Sequence, residues 1–223
     1  MKVYLSPSMQ NYNRYSYGNT TECDECDKIA SACETAMKRC GIPVVKAPKG
    51  QSAEKNVAQS NAIEADYHIC IHTNAGGGRG VVVFTSANNV NCVEAKEIYN
   101  AIDAIDSHKS VYGVRSASFY EINGTTAKCI YIECEFHDNA ELAKFIIEHT
   151  EQYGEAICKG FCKATGIKYI YPNTKSPSET DVYKQKAINK GVIKGYGNGD
   201  YGWKDPITRE QFITIIGRLG LLD

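Results

Sequence analysis

Polar and apolar residues alternate in the segment YIECEFHDN, which spans residues 131–139. Glu133, Glu135 and His137 occupy every second position, so an extended strand would place their side chains on one face. Carboxylates and an imidazole are groups that hold a divalent metal ion or transfer protons. A solvated strand edge is the alternative interpretation, because such an edge tolerates the same residues. The segment therefore raises the hypothesis of one wall of a metal site.

Two other segments lead to residues of the same kind. The predicted strand YHICIH ends in His72, and the polar stretch after the first strand, KVYL, leads to Glu22 at the start of a predicted helix. In an open α/β sheet, reactive groups gather at the carboxyl ends of the strands. A catalytic zinc ion takes three protein ligands, leaves one position for water and works with an unbound carboxylate. We therefore expect these residues and Glu133 to meet at one edge of a sheet.

The hydrophobic pattern predicts the elements that position these residues. Apolar residues at helical spacing predict a helix from Thr21 to Cys40 and one long last helix from Leu142 to Phe161. The predicted strands are KVYL, IPVVKA, YHICIH, VVVFT, SASFYEI and AKCIYIECEF. Strands separated by helices indicate βαβ units. We predict an α/β fold for residues 1–168, a twisted, largely parallel sheet flanked by helices.

The order of these segments resembles that of the zinc-dependent N-acetylmuramoyl-L-alanine amidases of the amidase-3 family. ICIHTNAGGGRG is similar to the family's SIHANA…GV, GVRSASFYEINGTTA to GVKSANFYVLRNT…A, and IYIECEFHDN to VLVELGFITN. YLSPSMQ stands where the family has LDPGHGG, and ECDECDKIA where it has EKDVNLAIA. The resemblance covers the first three quarters of the chain. It implies Zn²⁺ as cofactor, peptidoglycan as substrate, and cleavage of the amide between N-acetylmuramic acid and L-alanine.

The resemblance also implies roles for individual residues. Glu22 and His72 match two metal ligands of the family, and Glu133 matches its catalytic glutamate, which acts as general base and then as general acid. The family's first histidine ligand is replaced here by Met9, with Gln10 beside it.

A replacement for the missing ligand is predicted on the strand of Glu133. His137 follows on the same predicted face, and we predict that it supplies the imidazole that Met9 lacks. The predicted zinc ligands are therefore Glu22, His72 and His137, and the residues predicted to line the site are Met9, Gln10 and Glu135. Glu135 is also an alternative ligand in exchange for Glu22.

The C-terminal part has a different composition. Residues 169–180 contain two prolines and a run of small polar residues, which is typical of a linker. Residues 181–223 form a predicted small helical module, and AINKGVIKGYGNGDYGWKDPITREQF resembles one surface-layer-homology repeat. The repeat's signature is matched by Ile207, Thr208, Arg209 and Glu210, which implies binding to a secondary cell-wall polymer.

The last helix of this module is predicted to begin at Asp205 and Pro206. Its predicted buried stripe consists of Phe212, Ile215, Ile216 and Leu219. Because the repeat family commonly uses three copies together, one copy implies either self-association of chains or a module that only packs and positions the enzyme.

Composition excludes several classes of partner. The chain has 25 basic and 26 acidic residues among 223, so a nucleic-acid partner is not expected. No apolar run is long enough for a membrane span. Because MKVYLSPSMQNYN turns polar early, we expect no signal peptide, synthesis in the cytoplasm, and action on the cell wall after release, as for a phage endolysin.

The ten cysteines admit two interpretations. Cys23 and Cys26 form a CxxC pair, and Cys158 and Cys162 lie one helical turn apart, so these four residues are candidates for a structural zinc site. We favour reduced, buried thiols, because small apolar positions along predicted helices suit cysteine.

Two alternatives to the amidase hypothesis stay open. Met9 in place of a histidine ligand favours a catalytically inactive wall-binding protein on the amidase fold. The predicted ligands would equally serve a zinc peptidase that acts on the stem peptides of peptidoglycan.

Overall fold

The computed structural model describes residues 1–106, 109–172, 179–196, 201–203 and 205–222. The chain divides into two compact units, Met1–Pro172 and Asn173–Asp223. Residues 173–178 of the predicted linker and residues 197–200 of the repeat-like segment lie outside the described residues. No helix within the described ranges is both long and apolar enough to cross a membrane.

A six-stranded sheet forms the centre of the first unit. The strands are β1 (Val3–Pro7), β2 (Val44–Lys46), β3 (Tyr67–Asn74), β4 (Val82–Thr85), β5 (Gly113–Ser116) and β6 (Lys128–Phe136). Their order is β2-β1-β3-β6-β4-β5. Neighbouring strands are parallel except β4 and β6, which run antiparallel. The predicted α/β fold with a largely parallel sheet is confirmed.

Helices flank the sheet, and three of them enclose the main core. The helices of the first unit are α1 (Glu22–Arg39), α2 (Ala53–Ala62), α3 (Val93–Asp103), α4 (Tyr120–Gly124), α5 (Ala140–Glu148) and α6 (Thr150–Thr165), with a 3₁₀ turn at Ala87–Asn89. Helix α6 packs against both α1 and α3, and these three helices contribute about half of the core, which includes Ile29, Ile98 and Ile157. A capping box between Thr21 and Asp24 fixes the start of α1 at the sheet edge that carries the candidate site.

Two element predictions for this unit were wrong. The segment SASFYEI is not one strand, because β5 ends at Ser116 and α4 begins at Tyr120. The helical turn of α4 buries Glu121 and Ile122. The predicted long last helix is two helices, because the backbone of His149 leaves the helical conformation between α5 and α6.

Helix α6 approaches the backbone of α3 closely at Gly160. A Cβ atom there would lie 2.5 Å from the carbonyl oxygen of Glu97 and 2.6 Å from the Cα of Ile98. We expect Gly160→Ala to lower the free energy of unfolding by about 1–3 kcal/mol, since backbone atoms cannot move aside cheaply. Lys159→Ala, at the exposed neighbouring position, is the control and should change it by less than about 0.5 kcal/mol. Equal denaturation midpoints for the two variants would contradict this close packing.

The second unit contains α7 (Glu179–Asn189) and α8 (Arg209–Arg218). The predicted start of α8 at Asp205 and Pro206 is wrong, because the cap is formed by the reciprocal hydrogen bonds of Thr208 and Gln211. The predicted buried stripe is also wrong. No described residue of α8 is buried, and Phe212 is 51% exposed.

Candidate active site

A carboxylate and an imidazole meet at the carboxyl edge of the sheet. Glu22 is the first residue of α1, and His72 lies near the end of β3. Glu22 Oε1 is 2.8 Å from His72 Nδ1, and both side chains are buried. The structure therefore brings together two of the three predicted metal ligands.

Polar residues of the loop after β1 hold this pair in place. Asn13 Nδ2 donates to Glu22 Oε2 at 2.8 Å and to Gln10 Oε1 at 2.7 Å. Gln10 Nε2 lies 3.4 Å from both Glu22 Oε1 and His72 Nδ1. Gln10 therefore lies against the Glu22–His72 pair, and its predicted role in lining a metal site stays a prediction. Asn13 was not singled out from the sequence. Its short polar context, NYN, carries no periodicity that could have identified it.

Glu133 completes this group from the neighbouring strand. It pairs directly with His72 in the parallel register of β3 and β6. Its Oε2 atom is buried and has no hydrogen-bond partner among the described residues. Burial raises the pKa of Glu133 to about 7, with the nearby His72 opposing this shift and Glu22 adding to it. A carboxylate with one buried, unpaired oxygen beside Glu22 and His72 is thus able to accept a proton.

The electrostatics of His72 follow from the same neighbours. Burial by itself lowers the pKa of an imidazole, but the hydrogen bond to Glu22 and the charge of Glu133 raise the pKa of His72 above its usual value. The ring also stacks on Tyr131, with ring centroids 4.4 Å apart. Packing and charge together fix the orientation of this imidazole.

A bulge in β6 separates Glu135 and His137 from Glu133. His72 pairs with Glu133 and Asn74 with Phe136, so two residues of β6 lie opposite one residue of β3. Such an extra residue reverses the side-chain alternation beyond it. The prediction that the three polar residues share one face is therefore wrong.

Glu135 is held by backbone groups. Its Oε1 accepts hydrogen bonds from the amides of Gly80 at 2.6 Å and Phe136 at 2.9 Å. Burial raises the pKa of Glu135, while these two hydrogen bonds lower it. This carboxylate orders the loop between β3 and β4, and its predicted place in the site stays a prediction.

His137 lies against Thr73 rather than beside His72. His137 Nδ1 is 3.0 Å from the Thr73 hydroxyl and 3.1 Å from its carbonyl oxygen, and the ring stacks on Tyr15. Among the described residues, Glu22, His72 and His137 do not form a group whose ligand atoms all lie within 4.8 Å of one another. The ligand role of His137 stays a prediction, with Nε2 as the ring atom left for it.

The Glu22–His72 pair suits a divalent metal ion. A carboxylate oxygen and an imidazole nitrogen 2.8 Å apart, in a buried position, are oxygen and nitrogen donors of the type that zinc takes. Asn13 supports the carboxylate from outside, as partners of metal ligands commonly do. The unpaired oxygen of Glu133 leaves a carboxylate free for proton transfer.

A cleft of about 260 Å³ opens beside His72. Its walls include Met9, Phe119, Tyr120 and Tyr131. Met9, which the resemblance places where the family has a histidine, is 40% exposed and lines this cleft. Exposed aromatic side chains next to the candidate catalytic group offer apolar faces to a ligand.

Glu121, also on this cleft, is a buried carboxylate that the sequence did not single out. It accepts hydrogen bonds from Ser6 Oγ at 2.5 Å and Cys70 Sγ at 3.2 Å, and His68 Nε2 lies 3.4 Å away. Burial alone would raise the pKa of Glu121, but the hydrogen bond and charge of His68 hold it below its usual value. Glu121 therefore adds negative charge to the wall of the cleft.

The residues predicted to bind a wall polymer lie at the start of α8. Thr208 caps this helix, and Ile207, Arg209 and Glu210 are exposed. Their binding of a wall polymer stays a prediction.

Comparisons with known proteins identify the family and agree with the fold. Residues 9–163 match the family model for N-acetylmuramoyl-L-alanine amidases. The fold is similar to N-acetylmuramoyl-L-alanine amidase AmiC2 of Nostoc punctiforme, at a TM-score of 0.67 and 18% identity over 74% of this chain and 97% of that one. It is also similar to the N-acetylmuramoyl-L-alanine amidase from Clostridium difficile 630, at a TM-score of 0.63 and 21% identity over 75% of this chain and 97% of that one.

A third similar structure is the catalytic domain of the CD27L endolysin, which targets Clostridia Difficile. The TM-score is 0.60 and the identity 18%, over 77% of this chain and 99% of that one. At sequence identities of 18–21%, these similarities establish the fold alone. Among curated proteins, no sequence matches this chain.

Proposed function

This chain belongs to the N-acetylmuramoyl-L-alanine amidase family, and from that premise we propose that it hydrolyses the amide between N-acetylmuramic acid and L-alanine with a metal-activated water. The observation that carries this proposal is the contact of Glu22 Oε1 with His72 Nδ1 at 2.8 Å, beside the buried, unpaired oxygen of Glu133. A fold alone supports many functions, whereas this group of side chains has a specific chemical use.

In the proposed mechanism, Glu22, His72 and His137 would hold Zn²⁺. The bound ion supplies a water of lowered pKa and polarises the scissile carbonyl. Glu133 accepts the proton of the attacking water and later delivers it to the leaving nitrogen of L-alanine. Asn13 orients the Glu22 carboxylate, and the stack on Tyr131 orients the His72 ring.

Digestion of purified peptidoglycan tests the reaction type. We expect the protein to release new amino termini of L-alanine and no new reducing sugar ends, because the amide and not the glycosidic bond is cleaved. A stem-peptide peptidase would instead release amino groups of other residues. Absence of any released group would support the inactive wall-binding alternative and would sink the proposal.

The role of His137 is tested by metal content. Its Nδ1 contacts the Thr73 carbonyl, which leaves Nε2 for a metal, as in many metal-bound histidines. We expect His137→Ala to bind zinc at least tenfold more weakly, measured by competition with a chelator. Tyr15→Phe is the matched control, because it keeps the aromatic stack on His137 and removes only the hydroxyl that contacts Thr73. Full zinc affinity in His137→Ala would show that His137 is not the third ligand.

We further propose that the enzyme works as an endolysin, made in the cytoplasm and acting on the wall after release. The second unit would bind a secondary wall polymer through Ile207, Thr208, Arg209 and Glu210. Because one repeat is present where the family commonly uses three, chains would associate with one another to bring several repeats together. The exposure of Arg209 and Glu210 at the start of α8 supports this role. Cosedimentation of an Arg209→Ala, Glu210→Ala variant with purified walls tests it, and undiminished wall binding would contradict it.

A further inference from the structure

Three thiols converge where α1 and α6 meet. Cys40 follows the end of α1, and Cys158 and Cys162 lie one turn apart in α6. The Sγ atom of Cys158 is 3.9 Å from that of Cys40 and 4.0 Å from that of Cys162. All three are free thiols and are buried. The three sulfur atoms all lie within 4.8 Å of one another.

This group differs from the one that the sequence suggested. Cys23 and Cys26 do not join Cys158 and Cys162 in any potential metal-binding group among the described residues. Cys40 takes their place, from a position 118 residues before Cys158. The CxxC spacing was therefore misleading, whereas one turn of α6 does bring two sulfur atoms to 4.0 Å from each other.

The distances between these sulfur atoms match a metal thiolate. A zinc ion about 2.3 Å from each sulfur in tetrahedral geometry holds its sulfurs roughly 3.8 Å apart. We propose that Cys40, Cys158 and Cys162 form a second metal site, which binds zinc or a similar thiophilic divalent cation. This site would join the end of α1 to α6, away from the chemistry of Glu22 and His72.

The surroundings of the thiols suit this proposal. The amide of Ile170 donates to Cys40 Sγ at 3.3 Å, and such hydrogen bonds stabilise metal-bound sulfur. Burial raises the pKa of Cys162, and the nearby charge of Arg39, whose Nε donates to the Ile170 carbonyl at 2.8 Å, opposes this only in part. Three thiolates and one divalent cation would carry a net charge of −1, and the ion pair of Arg39 with Glu155 lies beside them.

Binding at this site exchanges protons for the metal ion. Each S–H loses its proton and each sulfur donates an electron pair to the cation, so one divalent ion displaces three protons and no electron is transferred. Zinc affinity should therefore rise steeply with pH.

Cobalt provides the test, because thiolate-to-cobalt charge transfer absorbs in the near ultraviolet while oxygen and nitrogen ligands give no such band. The full chain, reduced and stripped of metal, is titrated with Co²⁺. We expect the band to saturate by two equivalents, because the proposed amidase site also takes up Co²⁺ without contributing to the band. The band should be lost in Cys158→Ala and in Cys40→Ala. Cys40 is the least buried of the three, so Cys40→Ala is the variant less expected to disturb folding. The control is Cys33→Ala, an equally buried thiol of α1 outside the group, which should keep the band.

A Glu22→Ala, His72→Ala double variant separates this proposal from the proposed amidase site. It should keep the thiolate band and bind one metal ion fewer than the wild type. Absence of the band in the wild type, its persistence in Cys158→Ala, or its equal loss in Cys33→Ala would overturn the second site.

Discussion

Glu133→Gln is expected to reduce peptidoglycan hydrolysis by a factor of about 10²–10⁴, the usual contribution of a general acid–base residue. Glutamine keeps the shape of the side chain but cannot take a proton from water or return it to the leaving nitrogen. Residue 133 lies opposite His72 in the register of strands β3 and β6. The Oε2 atom of its carboxylate has no hydrogen-bond partner among the described residues. The rate of release of L-alanine amino termini measures the effect.

The same variant should fold at least as stably as the wild type. An unpaired carboxylate in a buried position costs free energy, and a neutral amide costs less. Thermal unfolding and metal content should therefore be unchanged or improved while activity falls. This separation of activity from stability distinguishes a catalytic role from a structural one.

Glu135→Gln is the matched control, two positions further along β6. Glu135 accepts backbone hydrogen bonds from Gly80 and Phe136, and a glutamine oxygen can still accept them. We expect Glu135→Gln to keep at least a tenth of wild-type activity. If Glu133→Gln retained as much activity as this control, Glu133 would not be the general base.

The sheet could be predicted because each strand and helix is marked by a pattern in its own stretch of sequence. Alternation of helical and extended patterns was enough to predict parallel βαβ units, and the resemblance supplied Glu22 and His72 as partners, which lie 2.8 Å apart. The face on which His137 lies could not be predicted in this way. It depends on a bulge in β6, and a bulge is set by pairing with β3 rather than by the residues of β6 alone.

Other errors have a related cause. The stripe predicted for α8 has helical spacing, but spacing does not say whether another surface covers it, and Phe212 is 51% exposed. Asn13 was missed because a loop residue that supports a ligand shows no pattern until the loop is folded. Contacts between elements decide these features, and a single sequence contains them only indirectly.

Removing the Glu22–His72 pair is expected to have the largest effect on metal binding. Glu22→Gln and His72→Ala should each lose one metal ion per chain and reduce hydrolysis by at least about 10³-fold, since the activated water and the polarised carbonyl both depend on the ion. Metal analysis together with release of L-alanine amino termini checks both effects. Asn13→Ala, which removes the hydrogen bonds to Glu22 Oε2 and Gln10 Oε1 but neither donor atom of the pair, should weaken metal binding by about 10–100-fold and keep residual activity at high zinc concentration.

Added zinc distinguishes loss of a metal ligand from loss of a residue that only supports a ligand. Ligand variants should not be rescued by added zinc, whereas Asn13→Ala should be, because the latter retains both donor atoms that lie 2.8 Å apart. Chelation of the wild type should abolish hydrolysis and lower its melting temperature, since an ion that binds only the folded chain stabilises it. If Glu22→Gln kept full metal content and chelator-sensitive activity, the ion would be held elsewhere. The contact between Glu22 and His72 would then be a buried ion pair that serves only the fold.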